Sequence, residues 1–227
     1  IIDDMGYHYK RNKEIIDLPG AITLSFLPHT PYATELAIMA HSKHKEILLH
    51  LPMESIDRSQ LDFGGINLDM DHSDIQRTLR NSLNVIPYAV GLNNHMGSLI
   101  SQHPGHISAM MQVISKRDLF FVDSFTTKAS VIQQIATEYW VPSIKRDIFL
   151  DNVRTQKAIN HQFNRLLSLA RKKGIALAIA HPYPQTLQVL KRRLKNLSSE
   201  QVRLVPVSQL ISIDMQRFKT WRAFLSP

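Results

Sequence analysis

The sequence contains no cysteine, which excludes a thiol nucleophile, a zinc ribbon, an iron–sulfur cluster and a disulfide framework together. It also lacks a long hydrophobic run. The longest, Ile175-Ala176-Leu177-Ala178-Ile179-Ala180, has the length of a buried strand and falls far short of the ~20 residues that span a bilayer. No Gly-x-Ser-x-Gly elbow is present, which disfavours an acyl-enzyme route, and no Gly-rich phosphate loop follows the first strand. What is there is ample for a core: 227 residues, 44% hydrophobic, fold without needing a metal or disulfide merely for stability. Any metal would therefore serve chemistry.

Basic residues outnumber acidic ones, 27 to 19, for a formal charge of +8. Such a balance favours anionic partners, but here the charges are scattered. The densest run, Lys191-Arg192-Arg193-Leu194-Lys195, lies in a helical pattern without interleaved aromatics, so solvated helix faces explain it and no nucleic-acid partner is expected. The opening Ile1-Ile2-Asp3-Asp4 already reads as the end of a strand, which predicts a trimmed chain with the start of that strand and any signal peptide missing.

Short apolar or β-branched runs alternate with helical segments, the pattern of parallel strands joined by crossover helices. Strands are expected at Ile1-Ile2, Ala21 to Phe26, Glu46 to His50, Tyr88 to Leu92, Leu119 to Val122, Val141 to Ile144 and Ile175 to Ala180, with a further candidate at Val202 to Val207. Helical spacing covers Tyr32 to Ser42, Ser73 to Leu83, Gly105 to Lys116, Val131 to Tyr139, Thr155 to Lys173 and Pro184 to Leu197. In the segment from Thr155, Ile159, Phe163, Leu166, Leu167 and Ala170 form one stripe, with Gly174 placed as the C-cap. With no linker or repeat, residues 1–227 read as one α/β domain, a barrel or a doubly wound sheet. The barrel is favoured because reactive side chains follow nearly every strand, where a (β/α) barrel builds its site.

Asp3-Asp4 leaves the first strand; in extended geometry one carboxylate can bind a metal while its neighbour reaches round the turn allowed by Gly6, although a polar strand exit would look the same. His50 closes Ile47-Leu48-Leu49 and Glu54 follows four residues on, a spacing that suits two ligands of one metal or a ligand and its outer partner. Asn93-Asn94-His95-Met96-Gly97-Ser98 packs polar side chains between Gly91 and Gly97, the most specific local signal in the chain. Asp123 emerges from the apolar Phe120-Phe121-Val122, and Arg146 can steer an anion or orient a carboxylate such as Asp3. Asp151 reads as the cap of the helix near Thr155. His181, delivered to the mouth ahead of Pro182-Tyr183-Pro184, suits a general acid or base. His8 and His29 stand close enough to strand ends to be secondary candidates. An Asp and two His with open positions is the arrangement of a catalytic divalent metal, and the chemistry it supports is amide or ester hydrolysis.

Together, Ile2-Asp3-Asp4-Met5-Gly6-Tyr7, His50-Leu51-Pro52-Met53-Glu54, Asn93-Asn94-His95-Met96-Gly97-Ser98, Val122-Asp123-Ser124, Arg146-Asp147-Ile148-Phe149-Leu150-Asp151 and Ala180-His181-Pro182-Tyr183-Pro184 resemble the divergent polysaccharide deacetylases. The resemblance implies a distorted seven-stranded (β/α) barrel, an exported, periplasmic location and a divalent metal, zinc foremost. It implies Asp3 as base, Asp4 and His50 as metal ligands and His181 as acid, with a looser match of Arg146 to the arginine that orients the base. The family's second ligand histidine is replaced here by Glu54, so the third ligand is His95, with Glu54 as the alternative. Asn93, Asn94, Ser98, Asp123 and Tyr183 are the expected substrate contacts. The expected activity is removal of acetyl groups from an N-acetylated envelope polysaccharide by a monomer; the alternative is a degenerate barrel that binds glycan or an envelope protein without turnover.

Overall fold

A computed structural model describes residues 1–225. Strands β1 (Ile2–Met5), β2 (Thr23–Phe26), β3 (Glu46–Met53), β4 (Ala89–Met96), β5 (Phe120–Asp123) and β6 (Ser143–Lys145) form a six-stranded sheet in that order, and β7 (Ile148–Phe149) pairs with β8 (Ala178–Ile179) in a two-stranded sheet. All the ladders are parallel. The helices are α1 (Tyr9–Ile16), α2 (Ala33–Ser42), α3 (His72–Val85), α4 (Pro104–Ser115), α5 (Ile132–Glu138), α6 (Gln156–Lys173), α7 (Pro184–Arg193) and α8 (Val207–Leu225). Parallel strands covered on both faces need near-continuous apolar sequence, which Ile47-Leu48-Leu49 and Phe120-Phe121-Val122 supply.

The expected α/β class and parallel arrangement hold; in place of the expected distorted seven-stranded barrel the strands form one six-stranded and one two-stranded sheet, without closure. The expected strand at Val141 to Ile144 is realised as β6, shifted to Ser143–Lys145, and the short β7 that follows it was not expected. Arg146 N still donates to Asp123 O, but Asp147 N and Ile148 N both donate to Leu177 O, so the chain leaves β5 and joins β8 across one turn. The expected strand from Ile175 shrinks to Ala178–Ile179, and Pro182 has no N–H with which to extend the ladder. Between β8 and β1 the contact is the bridge Ile2↔Ala180, with Asp3 N donating to Ala180 O at 2.8 Å. Val202 to Val207 is irregular and leads into α8 rather than forming a strand. Helix α6 matches its sequence signature at both ends: Thr155 Oγ1 accepts from Ala158 N at 3.2 Å, and Gly174 caps with φ 81° and donates to Ala170 O.

The core has two parts. Met5, Leu24, Phe26, Leu49, Leu51, Leu92 and Phe121 pack outward against the helices, while Leu48, Phe120, Val122, Ile144 and Leu177 face inward and meet Val207, Leu210 and Ile211 of α8. Glu46 holds this plug in place: its Oε1 accepts from Val207 N at 2.8 Å, Ser208 N at 3.2 Å and Thr23 Oγ1 at 2.8 Å, anchoring the helix N-terminus. The N-terminal ends of the strands are thus sealed with apolar side chains. Toward the opposite mouth, β1, β3 and β4 carry the polar Asp3, His50, Asn93 and His95.

Candidate metal centre and active site

Parallel pairing puts His50 opposite Asn93 and Pro52 opposite His95, so His50, Asn93 and His95 share one face of neighbouring strands. Beside them, β1 departs from regular geometry. Its register with β2 shifts between Ile2 and Met5, and Asp4 adopts φ 53°, a left-handed conformation uncommon outside glycine. In a regular strand Asp3 and Asp4 would face opposite sides; this kink turns both carboxylates toward the mouth. The turn continues at Gly6, with φ 126°, where an added Cβ would lie 2.0 Å from Thr30 Oγ1. Buried Asn12 secures it by accepting from Gly6 N at 2.8 Å.

Asp4 Oδ1 lies 3.2 Å from His50 Nε2 and 3.1 Å from His95 Nδ1, and the two imidazole nitrogens are 3.2 Å apart. Ligands bound to a tetrahedral zinc at about 2.0–2.2 Å stand roughly 3.3–3.6 Å from one another, close to this triangle. The donors fit. Asn93 Nδ2 donates to both oxygens of Asp3, at 2.9 and 3.0 Å, which fixes Asn93 Oδ1 as an acceptor. His50 Nδ1 therefore donates to that oxygen, at 2.9 Å, and its Nε2 presents a lone pair to the triangle. Asp4 Oδ1 is itself buried without a hydrogen-bond donor. Lone pairs converging on one point in a buried site call for a cation.

The facing charges shift both partners of this pair. Burial raises the Asp4 carboxyl pKa, yet the facing imidazoles of His50 and His95 outweigh it and hold the carboxyl well below the usual carboxylate range. For His50 burial lowers the pKa, and the carboxylates of Asp3 and Asp4 outweigh it and raise it.

Asn93 is the hub of this layer. Besides Asp3 and His50 it accepts from Ser25 Oγ at 2.5 Å and donates to Ser124 Oγ at 3.2 Å, all within the buried interior. Asp3 Oδ2 lies 3.6 Å from His50 Nε2, beside the triangle.

Across the mouth, His181 Nδ1 donates to Asp151 Oδ1 at 2.9 Å, and Asp151 Oδ2 accepts from His181 N and Thr186 Oγ1, both at 2.7 Å. Burial lowers the imidazole pKa, but Asp151, supported by the charges of Asp4 and Asp3, raises it to about 9. Asp151, expected from the sequence to cap α6, is instead the buried carboxylate behind His181; Thr155 supplies the cap.

Other expected site residues are placed as follows. Glu54 lies outside the triangle, and its Oε2 accepts from Leu68 N at 2.8 Å. Arg146 donates from Nε to Ser124 O at 2.7 Å and from Nη2 to Phe125 O at 2.9 Å, with its guanidinium over the Phe149 ring. Asp123, its carboxyl pKa raised by burial, accepts from Phe125 N and Ser130 Oγ. Asn94 braces the same loops through Ser124 N and Met96 O, and Ser98 Oγ accepts from Ile56 N. Asn93 is wholly buried beneath the site rather than at its surface. Tyr183 faces the mouth, its ring 5.5 Å from that of His181 and its OH accepting from Arg154 at 2.8 Å. His29 packs edge-on to Phe63, away from the triangle. Two residues that the sequence reading did not assign to the site join it: Asp151, and Asp62, whose Oδ2 lies 3.4 Å from His95 Nε2. The Asp62-Phe63-Gly64-Gly65 segment carried the only available signal for the latter.

Comparisons with known proteins show the family and the fold. The profile of the family described as divergent polysaccharide deacetylase matches residues 1–211. The protein YibQ of Escherichia coli (strain K12) is 36% identical over 212 residues, 93% of this chain and 66% of that protein. A protein of Haemophilus influenzae is 36% identical over 210 residues, 92% of this chain and 75% of that one. The chain thus spans about two thirds of the first relative and three quarters of the second. Among solved structures, ATU2773 of Agrobacterium tumefaciens C58 superposes with TM-score 0.89 at 22% identity, covering 92% of this chain and 86% of that one. BA3943 of Bacillus anthracis, described as a CE4 family pseudoenzyme, superposes with TM-score 0.54 at 11% identity over 92% of this chain and 63% of its own. These two likenesses show the fold.

Proposed function

The chain belongs to the divergent polysaccharide deacetylase family, and on that premise we propose that it is a metal-dependent hydrolase that removes acetyl groups from an N-acetylated envelope polysaccharide. The observation that carries the reading is the triangle of Asp4 Oδ1, His50 Nε2 and His95 Nδ1, with sides of 3.1–3.2 Å. These three residues would hold the ion, and two imidazoles with one carboxylate favour zinc among the common divalent metals. When bound, it supplies activation of water and polarisation of the acetyl carbonyl.

The chain's own residues do the rest. Asp3, held by both oxygens on Asn93, is the base that receives the proton of the attacking water. His181, kept protonated by Asp151, donates a proton to the leaving amine. Arg146 holds the backbone of Ser124 and Phe125 in place beside them, and Tyr183 offers a ring at the mouth for the sugar. Asn93, Asn94, Ser98 and Asp123 support the site from beneath by fixing its loops rather than by touching substrate. None of the described helices is long and apolar enough to cross a membrane. The reading includes an exported, periplasmic, monomeric single domain.

One observation favours a second reading, a non-catalytic glycan or envelope-protein binder: Glu54 stands where the resemblance expects a ligand histidine and is turned to Leu68 N. The test is acetate release from N-acetylglucosamine oligomers by the zinc-loaded chain and its Asp3→Asn variant. The proposal expects turnover by the wild type and its loss in the variant, with metal retained. Unchanged turnover in Asp3→Asn overturns the base assignment, and oligomer binding without acetate release by the metal-loaded wild type supports the binder.

A further inference from the structure

The loop between β3 and α3 is long and irregular, yet it is tied down at many points. Ile66 bridges Met53, Glu54 N donates to Ile66 O, Glu54 Oε2 accepts from Leu68 N, and Ser82 Oγ donates to Gly64 O. Gly64, with φ +79°, presses so closely on His29 that a Cβ there would lie 2.7 Å from the ring. These ties carry Asp62 to the outer edge of His95. Its Oδ2 is 3.4 Å from His95 Nε2, and its Oδ1 accepts from Tyr7 OH at 3.0 Å.

We propose that Asp62 is a positioning residue for the metal centre: its carboxylate, facing Nε2 of His95, favours the proton on that nitrogen, so that Nδ1 presents its lone pair alongside Asp4 and His50. The inference rests on the metal reading above. The two imidazoles point opposite nitrogens into the triangle, Nε2 from His50 and Nδ1 from His95. His50 is fixed by the neutral amide oxygen of Asn93 from within the buried interior. His95 is partly exposed and needs a partner from outside. A carboxylate in that place fixes the tautomer and strengthens the nitrogen facing the metal. It also gives Glu54 a purpose: at the position of the missing histidine it staples the loop that delivers Asp62.

The test is calorimetric titration of zinc into the metal-free chain, with melting temperatures of the metal-free proteins in parallel. Asp62→Asn keeps the side-chain shape and removes the charge, and zinc should bind roughly ten- to hundred-fold more weakly, with the metal-free melting temperature unchanged. Tyr7→Phe, which frees Asp62 on its other side, should weaken binding less. Wild-type affinity in Asp62→Asn overturns the inference and leaves the metal reading standing, provided His95→Ala abolishes binding. A loss of affinity that merely follows a fall in metal-free melting temperature overturns it as well. A wild-type chain that takes up no zinc overturns both.

Discussion

His50 and His181 are the same side chain held in two different ways on opposite sides of one mouth. His50 sits in the buried interior and gives its Nδ1 proton to the neutral oxygen of Asn93, leaving Nε2 as a lone pair facing Asp4. His181 stands in the loop after β8, partly exposed, and gives its Nδ1 proton to the carboxylate of Asp151. One arrangement suits holding a cation and the other suits holding a proton. The difference lies in the partner behind each ring, and in both cases that partner is a buried side chain contributed by another element.

The comparison breaks most completely at the ligand triangle. Replacing Asp4 by alanine should abolish metal binding and lower turnover on the order of 1,000-fold or more, the scale of removing a preorganised electrostatic stabiliser; metal analysis and acetate release read both. Next comes the partner of His50. Asn93→Ala leaves Asp3, His50 and Ser25 without their hub and should destabilise the chain by about 2–5 kcal/mol, the cost of several unmet buried polar groups, measured by urea denaturation.

The partner of His181 sharpens the contrast through pH. Its pKa of about 9, above the ordinary 6.5, means the stabilisation it contributes is fully present below about pH 6.5 and is lost as pH rises through about 9. The same protonation makes the acid available, so turnover should fall along a basic limb; a bound cation offsets the charges of Asp4 and Asp3, which places that limb below the value of about 9 of the metal-free chain. Asp151→Asn should move that limb, and the His181 resonances followed by NMR titration, to lower pH. The smallest effect is expected at Glu54: Glu54→Gln keeps an acceptor for Leu68 N, so zinc affinity should stay within about two-fold, whereas a ligand at that position would lose binding outright.

Much of this site is written in strand ends. Asp3, Asp4, His50 and His181 each follow or close an apolar run, His95 ends a polar cluster after one, and period-two alternation from Leu48 to His50 states that His50 shares the inward face. Asp151 and Asp62 were harder to see. Asp151 stands near a helix start, where a cap is the ordinary reading, and only the distant pairing of β7 with β8 brings it to His181. Asp62 lies in an irregular loop whose course depends on contacts with Met53, Ser82 and His29, none of them local. The open sheet was hidden for a similar reason: Ile175 to Ala180 reads as a full strand, and its ladder is set by the chain across the turn at Arg146 and by Pro182. Helix α1 escaped because its buried positions, Asn12, Ile15 and Ile16, do not form an apolar stripe.

The central claim is that Asp4, His50 and His95 together hold a divalent metal. Elemental analysis of the chain purified without added metal, beside its His95→Ala variant, tests it most directly. Near-stoichiometric zinc or a similar ion in the wild type and its absence in the variant is the predicted result. No metal in the wild type even after excess ion is supplied, or equal metal in both proteins, would contradict it.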